Sequence, residues 1–102
     1  DGSAWKANFT KPLWTWTPSI APSNILIYNG DLYPEWKGDV FVTSLKYKTL
    51  YKLNFKNNEV LSQDIIFEDL IGRIRDIEVN SKGELFLINS NSNASLWKMS
   101  KE

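Results

Sequence analysis

Gly38-Asp39-Val40-Phe41-Val42 returns 45 residues later as Gly83-Glu84-Leu85-Phe86-Leu87, and Leu50-Tyr51-Lys52-Leu53 returns 46 residues later as Leu96-Trp97-Lys98-Met99. Two matched blocks in matched order, with one residue inserted between them, read as an imperfect internal repeat rather than as chance likeness between two hydrophobic hairpins. A period of roughly 40–50 residues with about four strands per unit is the mark of a β-propeller blade.

Working outward from the repeat, the chain alternates short apolar runs with clusters of Asn, Gly, Ser and Lys, the layout of an all-β protein. Seven strands are expected, at 24–29, 39–45, 49–55, 60–67, 74–79, 84–89 and 95–99. The breaks between them hold Asn29-Gly30-Asp31, Pro34 to Gly38, Lys56-Asn57-Asn58, Ser81-Lys82-Gly83 and Ser90-Asn91-Ser92-Asn93. Gly and Asn accept positive φ, and Asn and Ser bond their own backbone, so these are turns. Ile65 to Ile71 has helix-like apolar spacing, but its β-branched content favours a strand followed by a loop. Val40-Phe41-Val42-Thr43 and Leu85-Phe86-Leu87-Ile88 are apolar on both alternating faces, which predicts strands sandwiched between two layers. In 49–55, Tyr51, Leu53 and Phe55 alternate with Lys52 and Asn54, which suits a more peripheral strand.

The first unit supplies four strands and the second three. Two blades cannot close a ring, so the expectation is the C-terminal third or so of a larger propeller. Such rings commonly take a missing outer strand from the other chain end. The expected organisation is an extended lead-in (1–20), a four-strand blade (21–68) and an incomplete three-strand blade (69–102).

Composition narrows the chemistry. Twelve Lys+Arg balance twelve Asp+Glu, which argues against a nucleic-acid surface or a polybasic membrane anchor. No apolar run approaches the ~18 residues of a membrane span. No signal peptide is apparent, and Asp1 in place of Met reads as a processed or cut end. With no cysteine, disulfides and thiolate chemistry are excluded. With no histidine, this chain holds neither a Ser-His-Asp triad nor a His-based metal site or proton shuttle.

Further motifs carry a resemblance. Pro18-Ser19-Ile20-Ala21-Pro22-Ser23 is followed by Ile27-Tyr28-Asn29-Gly30, then by Tyr33-Pro34-Glu35-Trp36-Lys37-Gly38-Asp39-Val40-Phe41-Val42 and Ser44-Leu45-Lys46, and last by Gly72-Arg73-Ile74-Arg75-Asp76-Ile77. In this order they resemble the C-terminal part of the soluble pyrroloquinoline quinone (PQQ)-dependent glucose/sorbosone, or aldose sugar, dehydrogenases. The resemblance covers about residues 12–99. It implies a six-bladed propeller that oxidises the anomeric carbon of a small-molecule sugar by hydride transfer to PQQ, in the periplasm or secreted. It also implies that the catalytic His and the calcium ion come from upstream blades, so that this chain supplies no catalytic or metal-binding residue and is inactive alone. The expected partners are the remaining blades or further copies of the chain, with no nucleic acid.

The chain's two arginines, Arg73 and Arg75, stand among ten lysines. An i, i+2 spacing places both on one strand face, and a guanidinium pairs a carboxylate bidentately as a lysine cannot. On composition alone they read equally as surface charges paired with Asp69 or Asp76. The resemblance implies that both bind PQQ, which carries three carboxylates, and that Lys46 reaches it at a strand end. It gives Ser19 and Ala21 cofactor contacts in their loop, partly through main chain; the bland reading is that Pro18 and Pro22 merely shape a turn. Trp5, Trp14 and Trp16 read as packing against the first blade more readily than as a sugar platform. Asn8-Phe9-Thr10 and Asn93-Ala94-Ser95 match the glycosylation pattern, common in Asn-rich chains. The competing reading of the whole is a non-catalytic propeller module with a binding or structural role.

Overall fold

The computed structural model describes residues 7–8 and 11–100. The strands are β1 (Pro22–Ile27), β2 (Val40–Ser44), β3 (Thr49–Lys56), β4 (Glu59–Glu68), β5 (Ile74–Val79), β6 (Leu85–Asn89) and β7 (Leu96–Met99). Among the described residues there is no α-helix, only a 3-10 turn at Pro34–Trp36. The strands form a four-stranded sheet in the order β1-β2-β3-β4 and a three-stranded sheet in the order β5-β6-β7, antiparallel throughout. Each is a meander in which chain neighbours pair directly. Asn57 and Asn58, with φ of 53° and 63°, make the two-residue β3–β4 turn, a conformation asparagine tolerates and the twist of a hairpin favours. The segment from Ile65 ends as strand at Glu68 and continues as loop.

The repeat is structural. Phe41 pairs with Lys52 and Val40 with Leu53, as Phe86 pairs with Lys98 and Leu85 with Met99. The main core lies between the sheets: Tyr28, Phe41, Leu50, Ile74, Ile77, Leu85 and Leu87 are all buried. Each large apolar side chain placed there contributes about 1.5–3 kcal/mol. A second cluster of Ile20, Val40, Val42, Tyr51 and Leu53, with Trp16 against it, covers the far face of the first sheet.

β2 is therefore sandwiched, with every residue buried. β6 is not: Leu85, Leu87 and Asn89 are buried, while Phe86 is half-buried and Ile88 exposed. No layer among the described residues covers that outer face. The expectation of a peripheral third strand is also corrected. β3 lies between β2 and β4, and Lys52 is 5% exposed. The polar face of β3 is tolerated inside because Lys52 Nζ meets Asp39 Oδ2 at 2.9 Å and Asp64 Oδ2 at 3.4 Å, and also donates to Asn54 Oδ1. Paired and hydrogen-bonded, a lysine can be buried.

Polar side chains fix the sheets to each other. Tyr28 Oη, fully buried, donates to the Gly83 carbonyl (2.7 Å) and accepts from the Tyr33 N–H (3.2 Å). Gly30 is needed there, since a Cβ on it would lie 2.6 Å from Tyr28 Oη and 2.7 Å from Gly83 Cα. At the opposite end of β1, Ser23 Oγ donates to the Ile74 carbonyl (2.8 Å), and the Asn24 amide reaches the Asp76 carboxylate and the Ile77 carbonyl.

Candidate functional site

Five residues singled out from the sequence lie toward one end of the molecule because strand direction takes them there. β1 begins at Pro22, which pairs with Ser44 at the end of β2, and β5 begins at Ile74, which Ser23 holds. Ser19 and Ala21 precede β1, Lys46 lies in the turn after β2, and Arg73 and Arg75 flank the start of β5.

The loop before β1 is shaped by its backbone. Ala21 has a φ of 52°, a left-handed conformation costing a non-glycine residue about 1–2 kcal/mol. Its N–H donates to Ser19 Oγ (3.2 Å), and its carbonyl accepts from the Leu45 N–H (3.2 Å). Ser44 Oγ donates to the Ile20 carbonyl, so this loop is tied to the Lys46 turn. Lys46 is exposed, its ammonium 5.2 Å from the centre of the Tyr47 ring.

Arg73 lies just before β5, its carbonyl accepting the Ser90 N–H at 2.8 Å. Arg75 lies where the β5–β6 register shifts between Ile74 and Asp76. This bulge explains why Ile74 and Ile77, three apart, are both buried in one core. Simple alternation therefore does not place the two arginines on a shared strand face. Both are exposed, and neither has a carboxylate within 4 Å among the described residues. The alternative pairings are taken: Asp69 faces Lys48 at 4.0 Å, and Asp76 accepts from Asn24 and from the Ile77 N–H.

A hollow of about 570 Å³ lies elsewhere. Leu13, Trp14, Ile25, Ile27, Phe55 and Val60 are among the apolar side chains lining it, with no titratable group, so it offers packing surface rather than chemistry. Trp16 packs on Tyr51 (6.3 Å between ring centres) and donates its indole N–H to Gln63 Oε1. Trp5 lies outside the described residues. Sequence reading missed the Asp39–Lys52–Asp64 cluster, although the acid and the lysine recur in both halves of the repeat as Glu84 and Lys98. Among the described residues no three acidic side chains gather as a metal site, and no helix is long and apolar enough to cross a membrane.

Comparison with known proteins defines the class as the glucose/sorbosone dehydrogenase family. The family model of glucose/sorbosone dehydrogenase matches residues 2–98, and the chain belongs to that family. It is 30% identical over 94 residues to the aldose sugar dehydrogenase YliI of Escherichia coli, covering 92% of this chain and 25% of that protein. An uncharacterized protein of Synechocystis sp. is 32% identical over 95 residues, covering 92% and 23%. A solved glucose dehydrogenase superposes with a TM-score of 0.84 at 26% identity, over 91% of this chain and 29% of its own. The soluble aldose sugar dehydrogenase of Escherichia coli in its apo form gives 0.73 at 26% identity, over 92% and 27%. The chain thus spans about a quarter of the length of the curated relatives it matches. Its seven antiparallel strands in two sheets are part of the propeller fold of glucose dehydrogenases.

Proposed function

We propose that this chain is the segment of a PQQ-dependent sugar dehydrogenase that helps to hold the cofactor, within an enzyme that oxidises the anomeric carbon of aldoses. The observation that carries the reading is the set of three exposed cations, Arg73, Arg75 and Lys46, at one end of the two sheets with no carboxylate of the described chain within 4 Å. Cations left unpaired by their own protein suit a ligand with three carboxylates. The guanidinium groups of Arg73 and Arg75 offer planar forks to two of them, and the Lys46 ammonium offers a compact charge to the same face. The Ser19 hydroxyl and the Ala21 backbone lie in the loop tied to the Lys46 turn, where they would bound the cofactor. When bound, PQQ supplies the hydride acceptor. The base and a calcium ion come from residues outside this chain, which has no histidine. The domain division is a lead-in (1–20) and two blades (21–68 and 69–102) of a six-bladed ring, working in the periplasm or outside the cell.

The test is made in the dehydrogenase containing this segment. Replacing Arg73 and Arg75 together by Ala should weaken PQQ binding by two orders of magnitude or more, because each charge-assisted bond contributes about 1.5–3 kcal/mol. Cofactor titration followed by absorbance reads this directly. The double Lys variant should recover binding only in part. The 102-residue chain alone, given glucose, PQQ and calcium, should reduce no dye. Normal PQQ binding by the double Ala variant would leave the non-catalytic propeller module as the better reading.

A further inference from the structure

The second strand of each sheet ends in a buried polar residue, Ser44 in β2 and Asn89 in β6. The two lie 45 residues apart, the offset of the repeat. Each pairs with the first residue of the neighbouring strand, Ser44 with Pro22 of β1 and Asn89 with Ile74 of β5. Their side chains differ in kind, yet they make the same connections. Ser44 Oγ donates to the Ile20 carbonyl in the loop before β1 and accepts from the Tyr47 N–H (3.0 Å) in the turn after β2. The Asn89 amide donates to the Ile71 carbonyl (2.9 Å) in the loop before β5, and its Oδ1 accepts from the Ser95 N–H (2.8 Å) just before β7. Each side chain thus ties the segment that enters its sheet to the segment that follows the second strand.

Those segments carry the candidate cofactor residues. Ile20 stands between Ser19 and Ala21, Tyr47 follows Lys46, and Ile71 stands two residues before Arg73. Around Ile71 the clamp is reinforced. The Asn91 amide also reaches the Ile71 carbonyl (3.2 Å), and the Ser90 N–H holds the Arg73 carbonyl (2.8 Å). Gly72 threads between them with a φ of 82°, and a Cβ on it would run into the Asn91 side chain. Lys46 and Arg73 are exposed, so packing does not hold their side chains. What fixes where their charged ends can reach is the backbone that carries them.

We infer that Ser44 and Asn89 are positioning residues of the cofactor site: Ser44 fixes the backbone that carries Lys46, and Asn89 the backbone that carries Arg73. The inference rests on the reading of these cations as PQQ ligands and deepens it. Both residues are buried at a strand end, so each acts through the backbone it holds. Removing either side chain frees a carbonyl and an N–H on opposite sides of the clamp, and the two segments it joined gain freedom. Cations that must converge on one ligand then have to be ordered as the ligand binds, and that ordering lowers affinity. The repeat supplies one such clamp to each sheet, a hydroxyl in the first and an amide in the second.

The test is made in the dehydrogenase containing this segment, by titrating PQQ against absorbance and measuring urea unfolding of each variant alongside. Asn89→Ala should weaken PQQ binding about tenfold, the scale of coupling within one hydrogen-bond network. In an Arg73→Ala background the same change should cost no more than about twofold, because the side chain it positions is gone. Ser44→Ala removes a single oxygen atom and is the second variant should Asn89→Ala unfold. It should weaken binding by a similar factor and lose that effect in a Lys46→Ala background. Tyr28→Phe is the control, since it breaks a buried hydrogen-bonded hub at the opposite end of the sheets. It should lower stability and leave PQQ affinity unchanged. Normal affinity in either folded variant, the same loss with or without Arg73 and Lys46, or an equal loss in Tyr28→Phe would overturn the inference and leave the cofactor reading intact. Normal PQQ binding by Arg73→Ala and by Lys46→Ala would overturn the cofactor reading itself, and the inference with it.

Discussion

The hairpins β2–β3 and β6–β7 carry the same kinds of residue in the same register, yet one is interior and the other peripheral. In the first, an added strand and a second core turn a lysine and an aspartate into a buried pair. In the second, the corresponding lysine and glutamate remain a surface pair, and Ile88 looks outward. The comparison separates what a residue pattern prescribes from what its surroundings make of it. An acid–lysine pair across a hairpin has no fixed energetic value; the layers around it decide whether it is decoration or a structural requirement.

The most direct way to break the comparison is to remove each lysine. Lys52→Ala leaves Asp39 buried without its cation, and breaking such a pair costs about 3–5 kcal/mol. Lys98→Ala should cost less than about 1 kcal/mol, as exposed pairs do. Urea unfolding of the two variants measures both, and similar losses would show that burial is not what distinguishes the hairpins. Tyr28→Phe tests the bond between the sheets. It leaves the Gly83 carbonyl and the Tyr33 N–H without their partner, for a loss of about 1–3 kcal/mol. Unfolding followed separately through each sheet should still coincide in the parent and separate in the variant.

The smallest effect is with pH. Asp64 is held below its ordinary pKa chiefly by the Asn54 hydrogen bond, then by Lys52; Glu84 is held below its own by Asn80 and then Lys98. A carboxylate whose pKa falls on folding stabilises the protein above its unfolded pKa. That contribution is lost as pH drops through the folded value. Both sheets should therefore weaken below the ordinary carboxylate range, and only slightly, because Asp64 is exposed and Glu84 is partly so. Carboxyl NMR titration should find Asp64 and Glu84 releasing their protons at lower pH than free side chains do.

Most strands were legible because Gly, Asn or Ser stands at one end or both and β-branched and aromatic residues fill them; the turn from Leu45 to Lys48 has no such marker and was read from the apolar runs on either side. The seven expected strands match the seven observed to within a few residues at each end. The buried lysine was not legible in the alternation of 49–55, since Lys52 and Asp39 lie 13 residues apart and only the repeat relates them. Nor was the bulge at Arg75, which contains no glycine to mark it; the buried Ile74 and Ile77, three apart, are its trace in the sequence. Of the candidate site, the residue types could be read directly, but their convergence depends on β1, β2 and β5 meeting at one end. That is a property of how two sheets stack, which no local pattern contains.

The contact of Gly30 with Gly83 makes one end of the molecule a fulcrum. There the two sheets approach so closely that a single methyl group has no room. Lys46 is carried by the first sheet and the two arginines by the second, at the opposite end of strands about 17–20 Å long. A side chain placed on Gly30 would press on Tyr28 and the Gly83 backbone, and the strain would have to pass through the Ser23 bond to Ile74 before it reached the three cations. Two residues with no side chain thus let the sheets close at one end, while Ser23 and Asn24 hold them at the other, beside the three cations.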